Sequence, residues 1–153
     1  MDYLILKYIH LISATLLFGT GLGTAFHMVH AHFSGDTQAI AVVSRGVVRA
    51  DWIFTATAVV IQFASGVWMI VQGGWPLDSG WIVKGISLYL FVGMCWLPVV
   101  WLQIRMRDLA AGALAAGEEL PSRYHHYFRI WFILGWPAFL SVLLIFYLMI
   151  FKP

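Results

Sequence analysis

Four long apolar runs separated by polar stretches set the pattern of this chain. The first covers about Tyr3 to Val29, the second about Trp52 to Gln72, the third about Trp81 to Gln103 and the fourth about Ile130 to Phe151. About 20 apolar residues at 1.5 Å rise cross a hydrocarbon core, so each run is long enough to span. Inside lipid a segment must satisfy its own backbone hydrogen bonds, which makes each run a helix. The pattern therefore predicts an all-α fold, a four-helix transmembrane bundle, in a single integral membrane domain covering residues 1–153.

The polar stretches orient that bundle. The first, Ser34 to Asp51, carries Arg45 and Arg49, and the third, Ile104 to Arg129, carries Arg105, Arg107, Arg123 and Arg129. The middle one, GGWPLDSG from Gly73 to Gly80, reads as a tight turn. Every arginine lies on one side, and the other side holds only Lys7, Lys84 and Lys152. The positive-inside rule then predicts cytoplasmic first and third loops and an N-out, C-out arrangement in a bacterial inner membrane. AIAVVSRGVVRA in the first loop alternates apolar and basic positions, as a helix lying on the membrane surface would. RDLAAGALAAGEELPSRYHHYF in the third contains helix formers broken at Pro121. Pro98 and Pro137 fall inside the third and fourth helices, where a missing N–H frees a carbonyl and kinks the axis.

Composition agrees and excludes much. Of the 153 residues, 61% are hydrophobic and 10% charged, against about a quarter charged in an ordinary soluble domain. Eight Trp and a 16% aromatic share suit interfacial belts and ring-packed helices. No basic run points to nucleic acid. The single cysteine, Cys95, allows neither an internal disulfide nor a cysteine metal cage. The first apolar run lacks a basic start and is too long for a removable leader, so it is expected to stay as a helix. With no phosphate-cradling loop, no Ser/His/Asp pattern and no carboxylate pair within the apolar runs, hydrolase and nucleotide chemistry fall away.

What remains is a set of titratable residues where lipid makes them expensive. At 100° per residue, His10, Ala14, Leu17, Gly21, Thr24 and Met28 share one face of the first helix. An imidazole beside small residues is what a planar group such as a porphyrin needs, an iron ligand and room for the ring. The structural alternative is close packing, because Gly19 and Gly23 form a small-xxx-small pair. Lys84 falls in the same leaflet as His10, pointing into the bundle or snorkelling to the headgroups. His27, His30 and His32 meet His125 and His126 at the other end, where one histidine from each helix can ligate haem or a metal ion. Asp51, just before Trp52, is placed to cap the second helix or to pair with Arg49 at a bound anion.

The phrases DWIFTATAVVIQ, RIWFILGWPAFLSVLLIFYLMIFKP and YLILKYIHLISATLLFGTGLG together resemble a family of small bacterial integral membrane proteins of unknown function, over nearly the whole chain. More distantly, YLILKYIH followed by FG, with WIVKG opening the third helix, is similar to the HemJ type of protoporphyrinogen oxidase. That resemblance implies a small four-helix haem protein in which His10 is a haem ligand and Lys84 serves haem binding and activity. GLGTAFHMVHAH stands where that group has a bulkier, Arg-containing run.

Residues and resemblance together lead to an expectation of a b-type haem protein in electron transfer or oxidoreduction of a quinone-like or porphyrin-like membrane substrate. Its haem iron would be held by His10. Lys84, Ala14 and Gly21 would complete the cofactor site, and His27, His30 or His126 would form a haem or proton path at the cytoplasmic side. The rival expectation is a cofactor-free accessory or anchor subunit, paired through the Gly-rich face with a second copy or a partner membrane subunit. A transporter is disfavoured by the lack of a polar central stripe.

Overall fold

The structure is a computed structural model that describes residues 2–153. Five α-helices follow in order: α1 (Tyr3–Ser34), α2 (Thr37–Ala50), α3 (Ala56–Gly73), α4 (Gly80–Ala116) and α5 (Ser122–Phe151). A π-helical turn, Asp51–Thr55, joins α2 to α3 without a break, so Thr37–Gly73 is one long helix. There are thus four membrane-spanning helices, arranged up-down-up-down, and no strand among the described residues.

Each end has a local cause. The Asp2 carboxylate accepts from the Leu4 N–H at 3.1 Å, and the Asp36 carboxylate from the Gln38 N–H at 2.8 Å, capping α1 and α2. Gly35, Gly74 and Gly117 stop α1, α3 and α4 in the left-handed conformation that costs glycine little. Pro121, extended, precedes α5. At the turn side of the molecule the Lys152 ammonium sits 4.2 Å from the centre of the Trp75 ring, which meets Trp81 edge-on.

The helices outrun the apolar segments that predict them. At 1.5 Å per residue the 37 residues of α4 span about 56 Å, well beyond the roughly 30 Å hydrocarbon core. The excess lies at the arginine end, where α1 continues to Ser34, α4 to Ala116 and α5 begins at Ser122. Two expectations are corrected here. The amphipathic stretch of the first loop does not lie on the membrane surface. As α2 it buries Ile40, Ala41, Ser44, Val47 and Val48 against α1 and α4 and leaves Arg45 and Arg49 exposed. Asp51 does not cap a helix either, because the helix is already under way. It lies inside the continuous helix and is 4% exposed.

Packing differs along the bundle axis. Close backbone packing in the membrane-spanning part is confined to two pairs, α1 with α3 and α4 with α5. At the arginine end α2 joins the pairs, touching both α1 and α4. There every long helix contributes to one buried cluster, in which Met28, Met106, Ala110 and Tyr124 are sealed from solvent. Toward the other end the pairs part. Between 6% and 17% of the most apolar stretch of each span is buried in protein.

Candidate functional site

Where the pairs part, a cavity of about 510 Å³ opens between them. Its size falls within the usual range of ligand sites, about 300–1,000 Å³. The wall is mostly apolar and strongly aromatic, with Phe18, Trp96, Phe132, Trp136, Phe139 and Phe146 prominent. Phe18 stacks on Phe139 with ring centroids 5.5 Å apart, bridging α1 to α5 through side chains. Tyr89 bridges α4 to α3, its hydroxyl donating to the Val59 carbonyl at 2.7 Å.

The face of the first helix read from the sequence does turn inward. Ala14, Leu17, Gly21 and Thr24 line the cavity, and Met28 enters the buried cluster at the arginine end. A Cβ at Gly21, Gly93 or Gly135 would meet no atom within 4 Å, so these wall glycines hold the cavity open. Gly19 and Gly23 also have nothing within 4 Å and are exposed. Among the described residues no helix packs on them.

His10 lies just outside the wall, in a polar cluster between α1 and α3. Its Nδ1 is 2.8 Å from Ser65 Oγ and its Nε2 is 2.9 Å from Gln62 Nε2. Ser13 donates to the Gln62 carbonyl oxygen, so the Gln62 amide nitrogen faces the imidazole and donates to Nε2. That assigns the proton to Nδ1, which donates to Ser65, whose hydroxyl in turn donates to the Ile61 carbonyl at 2.6 Å. Gly66 makes room for the ring, since a Cβ there would stand 3.2 Å from His10 Cε1. Gln62 is shared, lining the cavity on one side and holding His10 on the other.

This arrangement would stand in the way of haem ligation. An iron ligand needs a ring nitrogen without a hydrogen bond, and both nitrogens of His10 are taken. Lys84 is exposed on α4 and outside the cavity wall. His27, His30 and His126 are exposed too, the first two beside Phe26 and the third beside Tyr127. The two histidines brought together are His32 and His125, with ring centroids 5.5 Å apart, and His32 also stacks on Phe128. Among the described residues no three His, Cys, Asp or Glu side chains are grouped to hold a metal ion. As arranged, the residues do not fit a haem iron on His10.

A second polar group sits at the arginine end of the cavity. Asp51, Thr55, Gln103 and Trp131 all line it, each 6% exposed or less. The Asp51 carboxylate accepts from Thr55 Oγ1 at 2.9 Å, and Gln103 lines the same end of the cavity. Arg49 does not pair with it; the ion pair found among the described residues is Arg107–Asp108, on the surface. Along Thr37–Gly73 the cavity-lining residues Asp51, Thr55 and Gln62, followed by buried Ser65, form a polar stripe, contrary to the expectation of a bundle without one. Its signal was present, as Gln62 and Ser65 interrupt an apolar run one helical turn apart. Trp131 and Gln103 were less visible, because tryptophan suits any membrane helix and Gln103 ends its run.

No curated protein and no solved structure matches the chain. The family model described as "Predicted integral membrane protein (DUF2269)" matches residues 4–153. By that match over nearly its whole length, and by the four spanning helices described above, the chain belongs to the DUF2269 family of integral membrane proteins.

Proposed function

We propose that this protein binds a ring-bearing, membrane-soluble molecule, quinone-like or porphyrin-like, in the cavity between its two helix pairs and serves the oxidoreduction of that molecule. The cavity itself carries the reading: about 510 Å³, walled by aromatic rings, with polar side chains confined to a few positions. Flat rings pack favourably on aromatic walls, and a few convergent polar groups orient a ligand in an otherwise apolar site. The bilayer supplies the ligand laterally, with the arginine end in the cytoplasm of a bacterial cell and both termini outside. Fluorescence tests this, because Trp96, Trp131 and Trp136 line the cavity. A short-chain benzoquinone should quench them saturably in nanodiscs, and quenching that rises linearly without saturation would remove the proposal.

Haem b ligated by His10 is the more demanding form of this reading, since Gln62 must first release the imidazole. A reduced-minus-oxidised visible spectrum of purified protein, repeated with His10→Ala, decides it. A b-type band lost in the variant establishes the ligand, and a colourless folded protein ends the haem reading.

One observation favours a second reading, an accessory subunit. Gly19 and Gly23 form an exposed small-residue strip on α1. Such a subunit would copurify with a stable membrane partner and release it on Gly19→Leu.

A further inference from the structure

The polar end of the cavity has its own chemistry. It is built around the π turn Asp51–Thr55, a kind of helical irregularity frequent at functional sites. The side-chain carbonyl oxygen of Gln103 is buried and has no hydrogen-bond partner. The indole N–H of Trp131, on the neighbouring helix, is likewise buried and unpartnered. Both residues are 5% exposed and both line the cavity. Buried polar atoms are nearly always paired in native proteins, so one orphan acceptor and one orphan donor beside the same cavity call for a common explanation.

A hydroxyl supplies it. Its hydrogen would serve the Gln103 oxygen and its own oxygen would accept from Trp131, once both side chains turn these sealed atoms toward the cavity they line. A quinone carbonyl can only accept, so it answers Trp131 and leaves Gln103 unsatisfied. An ether fails in the same way. The flanking wall at this end, Phe26, Phe132 and Trp136, is aromatic and suits a ring bearing that hydroxyl. Resting on the cavity reading above, we infer that the arginine end of the cavity is a site for a phenolic hydroxyl, and that the ligand is held in its reduced, quinol-type form. The hydroxyl points to Gln103 and Trp131, and the remainder of the molecule runs past Phe139 and Phe146 toward the other face of the membrane.

The test uses the whole protein in nanodiscs under argon, with calorimetric titration of three probes: a short-chain benzoquinol, its dimethyl ether and the matching alkylbenzene. One hydrogen bond makes the quinol bind about tenfold more tightly than the ether. Gln103→Met abolishes that preference, bringing quinol binding down to the level of the ether. Trp131→Phe weakens quinol and ether several-fold relative to the alkylbenzene. Equal binding of quinol and ether to the wild type would overturn the hydroxyl site and leave the cavity reading standing. Absence of binding by all three probes would overturn both. Should Gln103→Met fail to fold, by circular dichroism and gel filtration, the wild-type ratio together with Trp131→Phe decides.

Discussion

The two ends of this bundle solve opposite problems with the same four helices. At the arginine end the helices leave the hydrocarbon, and water would reach any gap between them. There α2 closes the space, and large side chains from every helix interdigitate around Met106 and Tyr124. In the membrane-spanning part lipid is as apolar as leucine, so nothing drives the helix pairs to close on each other. They stand apart across a cavity, touching through Phe18 with Phe139 and through Tyr89 with the Val59 carbonyl. Close packing is concentrated where the helices project, and space is kept in the membrane-spanning part, where the proposed ligand would arrive. A site needing both a fixed frame and lateral access gains from that division.

The contrast is sharpest in substitutions that remove volume. Tyr124→Ala, in the sealed cluster, should cost about 3–5 kcal/mol of folding stability. Phe139→Ala, on the cavity wall, should cost clearly less, because its space already borders an opening. Denaturation midpoints of the two variants in one detergent measure the difference, and equal losses would erase the contrast drawn here.

Added volume should act in reverse. Gly93→Leu places a side chain where no atom lies within 4 Å, and a helix interior gains up to about 1 kcal/mol on losing a glycine. Stability should hold or rise while saturable quinone quenching weakens at least tenfold. If quenching is unchanged, the ligand binds elsewhere.

A smaller effect comes from the His10 cluster. His10→Leu removes an imidazole held at both nitrogens and strands the Gln62 amide N–H, leaving the Ser65 hydroxyl its bond to the Ile61 carbonyl, at a cost of about 1–3 kcal/mol. Gly66→Ala should cost less, since the ring need move only a few tenths of an ångström to relieve its 3.2 Å approach. Smallest of all, Tyr124→Phe deletes a buried hydroxyl with no partner and should be neutral or slightly stabilising. A loss there above about 1 kcal/mol would show that the hydroxyl is in fact served, by water or by a moved neighbour.

The apolar runs alone were enough to specify four spanning helices, their order and the end that gathers the arginines, because lipid leaves a chain no other way to satisfy its backbone. The inward face of α1 was legible too, since helical periodicity places Ala14, Gly21 and Thr24 in one line. Helix lengths were not. Charged residues end a hydropathy run without ending a helix, and Arg45, Arg49, Arg105 and Arg107 all sit on continuing helices. The continuity from α2 into α3, which turns Asp51 from an expected cap into a buried carboxylate, depends on α1 and α4 covering the apolar side of α2. Nor could local sequence assign His10. Its environment comes from Gln62 and Ser65, 52 and 55 residues away, and only packing of α1 on α3 brings them to its two nitrogens. Bilayer physics acts on each segment by itself and can be read one segment at a time. A polar site is made of partners from different helices, and those the tertiary structure alone brings together.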